Sequence, residues 1–227
     1  MDPRAAGAAN NNAVWCDTVC RSHGGRTVFG ADVWAALDPP PPLYPDVVTL
    51  RPGTPSAGVL AMVDDRPGCS VKDSAAELDL SPRGFEILFE AQWIHRDPAP
   101  QSEDVAGRWS VVDTPKTLVE WTAAHGSGHT FRAGLLRDAS VRFLVVRDGD
   151  RIRAGAIANR SGDTVGISNV FTTALDAPWV WATLVDEVAR QFPGSPLVGY
   201  ALEEDLPPAL RSGFTAVGPL RVWVRRG

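Results

Sequence analysis

Hydrophobic and polar positions follow two different periods along this chain, and the second half shows them most clearly. "VRFLVVRDGDRIRAGAIANRSGDTVGISNVF", residues 141–171, alternates as three strands broken at Asp148-Gly149-Asp150 and Ser161-Gly162-Asp163. Each break offers a glycine for the positive φ of a tight hairpin, so the stretch predicts an antiparallel meander. In "APWVWATLVDEVARQF" the period lengthens: Val180, Leu184, Val188 and Phe192 fall on one face of a helix. Before the meander, "WSVVD" reads as a strand. "TPKTLVEWTAAHG" reads as a helix with Thr114 as N-cap, Pro115 in the first turn and Gly126 at its end, and "TFRAGLLRD" as a second short helix. After it come strand "PLVGYAL", helix "LPPALRSG", and strands "FTAVG" and "RVWVR".

The first half is less regular. Asn12 to Gly24 reads as a helix, "DVVTL" as a strand and "SAGVLAMVDDR" as a helix. "FEILFEAQWIHR" reads as a strand in which Phe85, Ile87 and Phe89 alternate with polar neighbours. Two proline-rich interruptions punctuate the chain, "DPPPPLYPD" at 38–46 and "HRDPAPQSEDVAG" at 95–107. The second mixes proline with charge like a domain linker. The expected organisation is therefore two units, 1–107 and 108–227, with the boundary near Gly107, and both halves share a loosely similar order of elements.

Composition narrows the class. Of 227 residues, 44% are hydrophobic and 22% charged, the balance of a globular protein, and no apolar run approaches the ~20 residues of a spanning helix. "MDPRAAGAANNNA" lacks the basic start and apolar stretch of a secretion signal, and three cysteines cannot form a paired framework. Both point to the cytoplasm. The net charge of −5 argues against a broad nucleic-acid footprint. Cys16, Cys20 and His23 fall on one helix face, where core packing, a polar substrate-facing surface and a metal site are the competing readings. Trp15, Asp17 and His23 are the candidates there for contact with a substrate. Trp93, Trp109, Trp121 and Trp223 sit in apolar patterns as core anchors, whereas Trp179 and Trp181 fall in the first turn of a helix and could stack on a flat group.

The order from Trp109 onward (strand, two helices, three-stranded meander, helix, strand, helix, strand) resembles the Gcn5-related N-acetyltransferase (GNAT) fold. "AGAIANRSGDTVGISNVF" with its following helix, and "LRSGFTAVG" with its Gly-Phe-x-x-x-Gly turn, carry the resemblance. Residues 1–107 look like a degenerate copy of the same fold, and "NNAVWCDTVCRSHGG" is similar to the start of tandem actinobacterial relatives. The implied class is α/β (α+β), with tandem GNAT-like domains, each a mixed, mostly antiparallel sheet flanked by helices. The implied activity is transfer of an acyl group from a thioester to an amine or hydroxyl of a small molecule, in secondary metabolism, with no permanently bound cofactor and no membrane partner.

In that family the acyl thioester lies between the splayed fourth and fifth strands. By position those are Ser168, Asn169, Val170 and Phe171 on one side, running into Thr172 and Thr173, with Gly199 and Tyr200 opposite. The family's diphosphate loop is glycine-rich and carries an arginine, but here it reads "TTALDAPWVWA", with Asp176 as helix cap. A carboxylate in the anion seat and a proline without an N–H oppose a diphosphate. This shifts the expected donor from free acyl-CoA towards the pantetheine arm of an acyl carrier protein, with aminoacyl-tRNA ranked lower on charge. The family's acid tyrosine is Ala209 here, and its fourth-strand glutamate has no counterpart. Tyr200 and Glu203 are the candidate catalytic groups, Trp179 a donor contact, and Trp15, Asp17, His23 and His125 acceptor contacts. The competing class is a non-catalytic module of the same fold that binds a metabolite or partner.

Overall fold

The computed structural model describes residues 1–98 and 108–226. The expected boundary near Gly107 lies outside them. Among the described residues, eleven strands form one sheet in the order β1-β2-β3-β4-β11-β5-β10-β9-β8-β7-β6. Residues 1–98 supply β1 (Thr27–Phe29), β2 (Val33–Ala36), β3 (Val47–Thr49), β4 (Ser70–Asp73) and β5 (Phe85–Arg96). The rest supply β6 (Ser110–Val111), β7 (Val141–Asp148), β8 (Arg151–Ser161), β9 (Thr164–Thr172), β10 (Leu197–Ala201) and β11 (Thr215–Arg225).

The sheet reads alike in both directions from its centre. β5 and β11 pair antiparallel along most of their lengths. Outward from β11 lies β4, which is parallel to β3, and outward from β5 lies β10, which is parallel to β9. Each half therefore lends its long strand to the sheet of the other. "FTAVG" and "RVWVR", read as two strands, are one strand carrying an irregularity at Val217, where the register shifts between Ala216 and Gly218. In β5 the burial follows the alternation only in part. Phe85 is buried and Phe89 half-buried as the alternation placed them, but Ile87 is exposed, and the longest buried run is Trp93, Ile94 and His95 at the other end.

Helix α1 (Pro3–Ser22) crosses one face of the sheet, starting nine residues before the predicted Asn12. Asp2 caps it, accepting a hydrogen bond from Arg4 N, and Pro3 takes the first turn. Ala5, Ala8, Ala9 and Ala13 bring its backbone close to the strands, and a buried amide pair fixes its register. Asn159 Nδ2 donates to Asn11 Oδ1 at 3.1 Å, and Asn11 Nδ2 donates to Asn159 O at 3.3 Å. Gly166 makes room for this pair, since a Cβ there would stand 2.1 Å from Asn11 Oδ1.

On the same face lie α3 (Pro115–His125), with Thr114 and Gly126 as its caps, and the 3-10 turn Ala133–Arg137 where a second helix was expected. They cover Phe143, Val145 and Ile157 with Trp121 and Phe131. On the opposite face α4 (Ala177–Gln191) and α5 (Leu206–Arg211) close the second core. Val180, Leu184, Val188 and Phe192 are buried there as the periodicity predicted, and Trp181 packs edge-on against Phe214. The predicted helix over "SAGVLAMVDDR" reduces to α2 (Ser56–Leu60). β1, β2 and β4, three or four residues each, were not foreseen. Among the described residues no helix is long and apolar enough to cross a membrane.

Candidate functional site

β9 and β10 begin side by side and then part. They pair at Leu197 with Val165 and at Val198 with Gly166, after which β9 continues to Thr172 without a partner on that edge among the described residues. Gly199 marks the parting, where a Cβ would meet Ile167 O at 2.7 Å. Just beyond, Asn169 takes φ +53, and Ala156 of β8 faces two β9 residues, Asn169 and Val170. This bulge turns the strand edge into a cleft of about 220 Å³. Ile167, Ser168, Asn169 and Val170 line one side, and Tyr200, Leu202 and Asp205 the other. Asn12, Trp15 and Cys16 of α1 close one end, and Trp181 the other.

The corresponding gap in the first half is shut. β3 and β4 pair at Val47 with Val71 and at Val48 with Lys72; beyond that, Ser74 N donates to Thr49 Oγ1 at 2.8 Å with both residues buried. One splayed strand pair thus stays open while its counterpart is tied by a side chain.

A second hollow, about 690 Å³, adjoins the cleft and shares Leu43, Tyr44, Lys72, Asn169 and Tyr200 with it. The proline-rich segment 40–46 forms its outer wall, and β4, β5 and β11 its floor. Tyr44 stands between the two, edge-on to Trp15 and Phe131. Burial pushes its phenol well above the usual range, with the side chains of Trp15 and Asn169 pulling the other way. His125 lines the groove, stacked on Trp121 and tilted against Phe171; its buried Nδ1 has no hydrogen-bond partner among the described residues, and burial holds its pKa below the ordinary value.

At the expected anion seat the loop serves itself. Thr173 N donates to Arg153 O at 2.9 Å, Leu175 N to Thr172 Oγ1 at 2.8 Å, and Trp179 N to Asp176 Oδ2 at 3.2 Å. Three of the amides a diphosphate would need are already engaged, one of them by a carboxylate. Near this helix start Arg108 lies with its guanidinium 5.6 Å from the centre of the Trp179 ring.

The predicted site residues divide accordingly. Ser168, Asn169, Val170, Tyr200 and Trp15 converge on the cleft, and His125 on the groove. Thr172 and Thr173 close the helix-entry loop, while Phe171 faces the aromatic cluster of Trp121 and His125. Glu203 is exposed beside a separate hollow with Glu90 and Pro219. Asp17 is committed to Thr27 Oγ1, Arg21 and Trp34 Nε1, and His23 joins Thr130 O at 2.7 Å to the Arg132 side chain. Both therefore anchor the end of α1 and take no part in the cleft. Cys16 and Cys20 are buried between α1 and β2–β3, where burial pushes their thiols up to about 11 and about 12. The sequence reading missed Tyr44 and Lys72, which reach the cleft from the first half; the signal was the proline run that fixes Tyr44 in place.

No family model matches the sequence, and no curated protein matches it. Solved structures do match over nearly the whole chain. A GCN5-related N-acetyltransferase from Kribbella flavida is 16% identical, with a TM-score of 0.66, covering 97% of this chain and 96% of its own. A functionally unknown conserved protein from Staphylococcus epidermidis is 13% identical, with a TM-score of 0.61, covering 89% and 95%. A GCN5-related N-acetyltransferase-like protein from Streptococcus suis is 12% identical, with a TM-score of 0.58, covering 98% of each chain. The parted parallel strands, the bulge at their edge and these whole-length matches together show that the chain has the fold of the GNAT superfamily.

Proposed function

We propose that this protein is an acyltransferase that seats a pantetheine thioester between β9 and β10 and passes its acyl group to an amine or hydroxyl of a small molecule. The observation that carries the reading is the cleft itself, a strand edge without a partner that opens at a bulge beside Tyr200. A pantetheine arm carries amides that complete such an edge as a missing strand would, and this fixes the carbonyl relative to the acceptor. Backbone N–H groups of β9 polarise the thioester carbonyl. The acceptor nitrogen attacks the carbonyl carbon, the C–S bond breaks, and the proton the nitrogen loses balances the departing thiolate. Tyr200 lines the cleft and is the candidate donor to that sulfur.

The donor in this reading is a carrier-protein-bound thioester or acyl-CoA gripped through pantetheine alone, because the helix-entry amides are engaged and Asp176 is negative. The two sequence units 1–107 and 108–227 take separate tasks, the second holding the donor and the first supplying Tyr44 and Lys72 to the acceptor side. Three free, buried cysteines accord with a cytoplasmic setting. The test is transfer of labelled acyl groups from acyl-pantetheine, acyl-CoA, acyl-carrier protein and aminoacyl-tRNA to a panel of amines. Transfer from a thioester, reduced at least tenfold in kcat by Y200F, is expected; silence with every donor contradicts the reading and favours a binding module.

A further inference from the structure

Among the described residues, Lys72 is a cation without a counter-ion. It is 6% exposed, on β4, and borders both the cleft and the groove. Its Nζ donates to Asn12 Oδ1 at 2.9 Å and lies 4.6 Å from the centre of the Tyr200 ring. An ammonium has three N–H donors, so one direction has no partner among the described residues. Three of the carboxylates nearby are committed elsewhere. Asp46 binds Arg66 and Ser70 N; Asp73, on the opposite side of the strand, accepts from Leu78 N and Ala75 N; Asp17 holds Arg21, Thr27 and Trp34. Asp205 lines the same cleft but forms no ion pair with Lys72. Enclosing an ammonium without an anion is unfavourable, and an arriving anion relieves it.

The walls around it are apolar. Leu43 and Leu88 are 73% and 53% exposed at the rim of the groove, and Phe89 stacks on Tyr200 at 6.2 Å. A single charge beside an apolar wall matches a singly charged organic acid better than a phosphate dianion, since the one guanidinium in the groove, Arg66, is already neutralised by Asp46.

We infer that the groove binds a carboxylate-bearing small molecule, its carboxylate on Lys72 Nζ and its apolar body along Tyr200, Phe89 and Leu88. That this molecule is the acyl acceptor, hence an amino acid or hydroxy acid with an apolar side chain, rests on the acyl-transfer reading. The test begins with binding. Thermal unfolding of the full chain is followed with millimolar aromatic and aliphatic carboxylates, their neutral amides, and inorganic phosphate. The wild type should be stabilised by carboxylates over amides, and K72M, which keeps the stem and removes the charge, should lose that preference.

Equal shifts with carboxylates and amides overturn the inference, as does a preference that survives in K72M. A larger shift with phosphate overturns the carboxylate assignment. The wild-type comparison decides even where K72M does not fold. In transfer assays, amino acids should exceed their decarboxylated amines in kcat/KM on the order of 30-fold, mostly through KM, the value of one charge-assisted contact. Carboxylate-selective shifts without any transfer would leave the anion site standing and sink the acyl-transfer reading. Transfer that ignores the carboxylate would do the reverse.

Discussion

The side chains that decide this account are those whose partners are missing or already taken. Asp176 is taken: its carboxylate caps α4 through Trp179 N, so D176A should destabilise the protein by about 1 kcal/mol in urea unfolding. The same change should leave CoA affinity weak, because Thr172 still occupies the amide of Leu175. His125 and His95 are both held below their usual pKa by burial. A group whose folded pKa is depressed binds its proton more readily when unfolded, so its stabilising contribution is full above the unfolded value near 6.5 and is lost as pH falls through the folded value. Unfolding free energy should therefore decline from pH 7.5 towards 5.5. H125L should flatten the decline, and an unchanged slope would show that His125 is not desolvated in solution.

Residue types told much of this in advance. A carboxylate before Ala177-Pro178 was legible as a cap, and its burden on an anion seat followed from charge alone. What could not be read was direction. Asp17 and His23 lie within about two turns of Trp15 on the same helix, yet they fall near the end of α1 where β2 and the Thr130 loop claim them.

At the scale of elements, the docking of α1 on the β8–β9 edge fixes one wall of the cleft. G166A places a methyl 2.1 Å from Asn11 Oδ1 and should cost about 1–3 kcal/mol in denaturant unfolding, and N11A in the same chain should recover part of that loss. Strictly additive effects would mean that the two do not meet. The meander, α3 and α4 were legible because each carries its full signal locally: period, cap and turn glycine. The short strands β1, β2 and β4 carry three or four residues each, too few for a period, and exist because neighbouring strands complete them. The start of α1 was obscured by alanines and asparagines, which give little hydrophobic contrast even though they suit a helix that must lie close to a sheet.

For the whole molecule, the exchange of β5 and β11 binds the two halves into one sheet. Residues 108–227 alone would leave β10 without its β5 neighbour and strip β11 of both of its partners. That fragment should be insoluble or lack cooperative unfolding by circular dichroism, whereas an independently folding fragment would contradict the interleaved sheet. This exchange was hidden from sequence reading because strand order is a long-range property. A linear division at the charged linker is blind to which half a strand pairs with. The open cleft of the second half and the tied one of the first were equally hidden, since Thr49 and Ser74 look like any strand residues until their hydrogen bond is seen.

The central claim is that the thioester is held by the edge of β9 and not by a diphosphate seat. Comparing kcat/KM for the same acyl group on pantetheine and on coenzyme A tests it most directly. Values within about fivefold of each other are predicted, since the nucleotide end would contribute little beyond its own weak contacts. A preference of about 100-fold or more for the coenzyme A thioester, abolished when its diphosphate is removed, would contradict the account.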